Sequence, residues 1–221
     1  MRITLIDAGK RFNRDWIFRH LHYEFIEGHT YAITGSNGSG KSTLLQIIGG
    51  AIGLSEGKAV YREPDMAEVN RPDIAVAKKQ HVDISAEHIF RHISIAAPYL
   101  ELVEEMTATE FLHFHQSFKP LLPSCTVRDI LSRVGLGNAA DKQMRYYSSG
   151  MRQRARLAQA IFSDTPIVLL DEPCTNLDAE GIALYRQLIK EYCQGRMVIV
   201  SSNDTQEYDF CEKVIPIGDY K

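Results

Sequence analysis

The chain opens with alternating apolar and polar positions. Ile3 and Leu5 alternate with polar neighbours, and Leu21, Tyr23 and Phe25 alternate with His22 and Glu24, the period of strands with one buried face. An antiparallel sheet is predicted there, with Lys10 to Trp16 as a polar turn carrying two aromatics. Thr30 to Thr34 is a short, β-rich, mostly apolar run and reads as a buried strand. Leu44, Leu45, Ile47 and Ile48 give a wide apolar face to a helix from Thr43 to about Gly49. Gly57 to Tyr61 reads as another strand. The patches Ile74 to Ala77 and His81 to Ile84, broken up by Pro64, Pro72 and charged residues, suggest surface strands of the same sheet. Ser85 opens one helical turn through His88, Ile89 and Phe90, and His92 to Ala97 is a buried strand that Pro98 stops.

Beyond Pro98 the period changes. From Tyr99 to about Met144 the chain is predicted helical. Thr107 with Glu110 forms a capping box for Ala108 to His115, and Thr126 caps Val127 to Val134. Ser148, Ser149 and Gly150 precede a helix in which Met151, Ala155, Ala158 and Phe162 make an apolar stripe opposite Arg152, Arg154 and Arg156. Ile167 to Leu170 and Met197 to Val200 are apolar throughout, as strands buried on both faces are. The amphipathic helix Ile182 to Tyr192 lies between them, and Val214 to Ile217 closes the chain. This order predicts an α/β fold with a parallel core whose site lies at the carboxyl ends of its strands.

Composition narrows the function. A chain of 221 residues, 44% hydrophobic and 24% charged, suits one globular domain, and a net charge of −3 gives no electrostatic reason to expect nucleic acid. No apolar run approaches the roughly 20 residues of a membrane span, and residues 1–7 lack a long apolar signal core, so export is not expected. Cys125, Cys174, Cys193 and Cys211 are far apart and fit reduced thiols. His88 with His92 share a helical spacing and His113 with His115 a strand spacing; two ligands without a third make poor zinc sites.

Two stretches carry chemistry. Gly35-Ser36-Asn37-Gly38-Ser39-Gly40-Lys41-Ser42-Thr43 fits the phosphate-binding pattern G-x-x-x-x-G-K-[ST] and lies between a strand and a helix. Glycines without a Cβ let successive N–H groups wrap a phosphate, Lys41 adds a charge, and Ser42 offers a hydroxyl to Mg²⁺. The helix then aims its positive end at the same anion. Asp171 and Glu172 close a buried strand: Asp171 is placed to hold Mg²⁺ and Glu172 to polarise an attacking water.

The order and spacing of these motifs resemble the ATP-binding cassette (ABC) ATPases over the whole chain. Gly35 to Thr43 is similar to Walker A, Ile167 to Glu172 to Walker B with its catalytic glutamate, Thr175 to Asp178 to the D-loop, and Tyr147 to Met151 to the L-S-G-G-Q signature. The resemblance implies a P-loop NTPase (RecA-like) core with an antiparallel β subdomain, built from residues 1–98 and 164–221, and an inserted helical subdomain, 99–163. It implies a head-to-tail homodimer or heterodimer in which each ATP lies between one subunit's Walker motifs and the other's signature. Ser148, Ser149 and Gly150 then meet the partner's nucleotide, and Asp178 lies across the same interface. Phe12 takes the position of the base-stacking aromatic, with Trp16 as competitor. With no membrane span in the chain, the expected role is an ATP-hydrolysing transporter subunit peripheral to the cytoplasmic face. It docks on a separate integral membrane subunit around Tyr99, Leu100, Leu102 and Met106, residues equally readable as core. A soluble ABC ATPase driving a cytosolic assembly, such as iron–sulfur maturation, and a slowly hydrolysing binding switch are the alternatives.

Two departures stand out. The family's glutamine after the strand ending at Ala97 is replaced by Pro98-Tyr99, and its histidine after Met197 to Val200 by Asn203. Asn203 can donate a hydrogen bond to a γ-phosphate but carries no charge. Slow or partner-dependent hydrolysis is one expectation; compensation by Glu101 or a water is the other.

Overall fold

Strands β1 (Arg2–Phe12) and β2 (Asp15–Ile26) pair antiparallel from Arg2↔Ile26 to Phe12↔Asp15 in a computed structural model that describes residues 1–64 and 81–221. The expected seven-residue polar turn is therefore corrected to Asn13 and Arg14 alone. Asn13 takes φ 55°, the left-handed conformation that tight hairpin turns require and asparagine tolerates. β3 (Thr30–Thr34) leads through the phosphate loop into α1 (Lys41–Ile48). β4 (Glu56–Pro64) then returns to the far edge of β1, and β5 (His81–Ile84) pairs with it, giving an antiparallel sheet ordered β2-β1-β4-β5. The patch at residues 74–77 lies outside the described residues. Ser85 does open a turn, its Oγ 2.8 Å from His88 Nδ1, before a 3₁₀ turn at Ile89–His92.

The second sheet is parallel throughout. β6 (Ile93–Ala96), β7 (Ile167–Asp171), β8 (Met197–Ser201) and β9 (Lys213–Pro216) join β3 in the order β6-β7-β8-β3-β9. Every residue of β7 and β8 is buried, as their uniform apolar character requires. Alternate side chains serve different cores. Ile167, Leu169, Met197 and Ile199 pack with α1 and the antiparallel sheet, while Val168, Leu170, Val198 and Val200 pack toward the later helices.

Those helices are α2 (Ala108–Gln116), α3 (Val127–Arg133), α4 (Ser149–Ile161) and α5 (Ala179–Tyr192). Both predicted threonine caps form full capping boxes, Thr107 with Glu110 and Thr126 with Asp129, each of a kind that contributes about 1 kcal/mol. His113 and His115 lie on α2, not on a strand. The first helix starts at Ala108 as its cap predicts, whereas residues 99–106, expected to belong to the helical region, form no helix. Their backbone groups bond to neighbours: Arg156 Nε donates to Leu100 O at 2.9 Å, Arg145 N to Glu104 O at 3.0 Å, and Met144 N to Met106 O at 2.9 Å. All four cysteines are free, and no helix among the described residues is long and apolar enough to cross a membrane. No group of three or more metal-ligating side chains occurs among the described residues. His92 instead pairs with Glu63 at 2.8 Å.

Candidate nucleotide site

Strand register builds the site. Ser201 at the end of β8 is level with Ile33 of β3 on one side and Asp171 of β7 on the other. The loop after β3 and the acidic pair after β7 therefore emerge at the same edge of the sheet, flanking the turn that carries Asn203.

In the loop, Gly35, Gly38 and Gly40 have φ values of 151°, 74° and 105°. A Cβ on Gly40 would lie 2.2 Å from Ile17 Cγ2 and one on Gly35 2.6 Å from Ser39 Oγ, whereas Gly38 faces open space. The chain passes from Gly40 directly into α1, which starts at Lys41, two residues earlier than expected. The helical ladder opens with Leu44 N on Gly40 O at 2.9 Å, which leaves the N–H groups of Lys41, Ser42 and Thr43 at the helix end for an anion. Lys41 is 5% exposed, and its ammonium donates to Gly35 O at 3.0 Å and Ser36 O at 3.3 Å. Its charge thus lies along the loop.

A cleft of about 210 Å³ is lined by Ile17, Asn37, Gly38, Gly40, Lys41, Ser42, Thr43 and Glu172. The structure so brings the loop and the strand-end glutamate to one space. Glu172 has φ 44°, and its N–H donates to Ser201 O at 2.9 Å. A non-glycine residue held in this conformation marks a side chain whose direction is imposed by its surroundings. Asp171 is 2% exposed, and its Oδ1 has no hydrogen-bond partner; neither has Ser39 Oγ nor Ser201 Oγ. An unpartnered buried carboxylate oxygen is costly, and carboxylate and hydroxyl oxygens are the donors a hard divalent cation takes; Ser42 lines the cleft, Asp171 does not. Behind Glu172, Glu207 accepts from Cys174 N at 2.7 Å, and burial holds its carboxyl above the usual range.

Asn203 does not line the cleft, but its Nδ2 donates to Asn37 Oδ1 at 3.1 Å and so touches the loop. Phe12 also lies outside the lining; its ring is 48% exposed, with Lys10 Nζ 5.0 Å from the centroid. The ring of Trp16 is taken by cations, Arg19 at 4.3 Å and Arg11 at 5.5 Å, which leaves Phe12 the more open of the two rings.

Ser148, Ser149, Gly150 and Asp178 stand apart from that cleft. Ser148 caps α4, its side chain accepting from Met151 N at 3.2 Å, and Asp178 caps α5 by accepting from Gly181 N at 2.8 Å. A Cβ on Gly150 would lie 3.0 Å from Asn176 O, and Gln153 Nε2 donates to Pro173 O at 2.7 Å. The start of α4 is thus fastened to the loop following Glu172. Gln153 is 1% exposed although it lies among arginines in sequence, and neither it nor Ile17 was marked by the pattern as part of the site. The position of Ile17 within an alternating strand signalled burial, but not against which loop.

The model of the ABC transporter family matches residues 18–175, more than half the chain and all of the phosphate loop and strand-end acids. The chain belongs to the ABC transporter ATP-binding family. It is 31% identical over 202 residues to the cytochrome c biogenesis ATP-binding export protein CcmA of Mesorhizobium japonicum, covering 91% of each chain. Over 206 residues it is 28% identical to the uncharacterized ABC transporter ATP-binding protein YybJ of Bacillus subtilis, covering 93% of this chain and 87% of that one. Among solved structures, a putative ABC transporter ATP-binding protein from Pyrococcus furiosus matches with TM-score 0.77 and 17% identity over 100% of both chains. The dimeric post-hydrolysis state of the ATP-binding cassette MJ0796, bound to ADP and Pi, matches with TM-score 0.76 and 22% identity over 98% of this chain and 95% of that one. These structural likenesses establish the fold: an ABC ATPase domain on a P-loop NTPase core.

Proposed function

We propose that this ABC ATPase hydrolyses ATP with Mg²⁺ as a peripheral subunit on the cytoplasmic face of a membrane, working as a dimer on a separate integral membrane subunit. The observation that carries the reading is the cleft that joins Lys41, Ser42 and Thr43 to Glu172, beside the buried, unpartnered Oδ1 of Asp171.

The triphosphate lies along the loop, with backbone N–H groups on its oxygens and the Lys41 ammonium exchanging the Gly35 and Ser36 carbonyls for phosphate. Ser42 and Asp171 would hold Mg²⁺, which would supply positive charge to neutralise the phosphate chain. Glu172 accepts a hydrogen bond from the attacking water and aims it, its direction set by the strained backbone. Asn203, already on Asn37, turns its amide to the γ-phosphate. A second copy supplies Ser148, Ser149 and Gly150 at the N-terminus of α4, with Asp178 at the join, and Phe12 stacks on the base. Residues 99–163 make up the inserted helical subdomain that carries the signature, and 1–98 with 164–221 the core.

Of the apolar residues expected to receive the membrane subunit, Leu102 and Met106 pack in the core, whereas Tyr99 and Leu100 are 45% and 36% exposed and Val103 is 43% exposed. Docking is therefore assigned to Tyr99, Leu100 and Val103. The test is phosphate release and nucleotide binding by the purified protein, alone and with co-purified membrane subunit. The reading requires Lys41→Ala to lose nucleotide binding and Glu172→Gln to keep it while losing turnover. Equal ATP binding by wild type and Lys41→Ala would refute it.

A further inference from the structure

Glu172 opens a β-turn whose middle peptide is held on both sides. Thr175 N donates to Glu172 O at 3.1 Å, which puts Pro173 and Cys174 at the two central positions. The central peptide is the part of such a turn that can flip while its ends stay in place, because the type I and type II forms differ in ψ of the first central residue and φ of the second. Here neither of its polar groups is loose. Its carbonyl, Pro173 O, accepts from Gln153 Nε2 at 2.7 Å, and its N–H, that of Cys174, donates to Glu207 Oε1 at 2.7 Å. In a trans peptide these two groups point in opposite directions, so a donor on one side and an acceptor on the other allow a single orientation. Both side chains come from remote parts of the chain and are themselves fixed. Gln153 lies on α4, one helical turn beyond Ser149 and Gly150, and its Oε1 accepts from Arg156 Nη1 at 3.3 Å, which leaves Nε2 as the end turned to Pro173. Glu207 ends the 3₁₀ turn Thr205–Glu207, four residues beyond Asn203, and its own carbonyl accepts from the Tyr185 hydroxyl at 2.9 Å. An amide and a carboxyl, 1% and 5% exposed, are thus buried against one peptide where apolar side chains would cost less. The turn fixes the backbone on the carboxyl side of Glu172 as Ser201 O, accepting from Glu172 N, fixes it on the amino side.

Resting on the ATPase reading above, we propose that Gln153 and Glu207 are positioning residues for hydrolysis: by holding the Pro173–Cys174 peptide from opposite sides they lock the turn that aims Glu172 at the attacking water. Neither lines the nucleotide cleft, so both act through Glu172 and not on the nucleotide. Each hold is needed, because a peptide gripped at one end only can still swing. The same peptide joins α4, which starts at the signature residues, to the turn that follows Asn203.

Gln153→Met keeps the length of the side chain and removes its donor, Glu207→Leu removes the acceptor, and Glu207→Gln keeps an acceptor oxygen. Steady-state ATP turnover gives kcat, calorimetry gives the affinity for the non-hydrolysable analogue AMP-PNP with Mg²⁺, and a thermal melt checks folding. The proposal expects Gln153→Met and Glu207→Leu each to lower kcat about 10- to 100-fold, the size of effect of a slightly misplaced catalytic group, with AMP-PNP affinity within about twofold of wild type. Glu207→Gln restores kcat to within about threefold of wild type, which a loss of packing alone would not predict. The double variant Gln153→Met with Glu207→Leu is no slower than the slower single one, because both act through one peptide. A kcat within about threefold of wild type in folded Gln153→Met overturns the proposal, as does a Glu207→Gln protein as slow as Glu207→Leu or a double variant whose losses multiply. If Glu207→Leu fails to fold, Gln153→Met decides alone. Wild-type protein that binds no AMP-PNP, or does not turn over ATP, is a separate result: it removes the ATPase reading and the proposal with it.

Discussion

Replacing Gly40 by alanine tests the geometry of the phosphate loop with two costs that can be separated. Gly40 has φ 105° and ψ 9°, outside what an L-residue adopts without strain, and left-handed backbone costs about 1–2 kcal/mol in a residue with a Cβ. The added Cβ would also lie 2.2 Å from Ile17 Cγ2, far inside a carbon–carbon contact of roughly 3.5–4.0 Å. Relieving that overlap forces Ile17 off its place, an overpacking cost of about 1–3 kcal/mol. The nucleotide-free Gly40→Ala protein should therefore lose about 2–5 kcal/mol in urea unfolding, with an unchanged dependence on urea. In an Ile17→Ala background the overlap disappears and only the backbone cost of about 1–2 kcal/mol remains. A cost of Gly40→Ala that is identical in both backgrounds would refute the packing argument. A cost below about 0.5 kcal/mol would refute the backbone argument as well.

Other outcomes follow from single residues. His115, whose Nε2 is 2.8 Å from Ser163 Oγ, is held down to about 4 by burial and then by the Lys119 charge. Between pH 6.5 and 4 the unfolded chain binds a proton there that the native one refuses, so the native state loses about 1–3 kcal/mol as pH falls through that window; His115→Gln should flatten this part of the pH–stability curve, and an unchanged slope contradicts the assignment. Asn203→His should raise the turnover of ATP, because an imidazole can carry charge toward the γ-phosphate and an amide cannot; turnover matched or lowered by the substitution means that the asparagine limits nothing. Thr126→Ala removes a complete capping box from α3 and should cost about 1 kcal/mol in urea unfolding with ATP binding unaltered; a cost near zero means the cap is redundant.

Local physics explains which parts of the fold were legible in the sequence. β7 and β8 showed themselves because a strand buried on both faces has no polar position to spare, and the phosphate loop because its glycines and lysine have few other uses in that order. The capping boxes at Thr107 and Thr126 were legible for the same reason, being local exchanges of hydrogen bonds. What the pattern missed depends on partners remote in sequence. The hairpin turn shrank to Asn13 and Arg14 because cross-strand pairs such as Arg11↔Trp16 extend the strands into polar residues. Residues 99–106 stayed out of helix because α4 and the chain around 144–145 supply their hydrogen bonds. Ile17 against Gly40 and Gln153 on Pro173 join elements from different parts of the chain, and periodicity carries no information about which elements meet.

The central claim is that the cleft around Lys41 and Glu172 is half of a site that a second copy completes with Ser148, Ser149 and Gly150. Light scattering coupled to size exclusion, on Glu172→Gln with and without saturating ATP and Mg²⁺, tests it most directly. The account predicts a monomer without nucleotide and a dimer with it, and reversion to monomer when Ser148→Arg is added to fill the space at the start of α4. A Glu172→Gln protein that stays monomeric at saturating ATP and Mg²⁺ contradicts it.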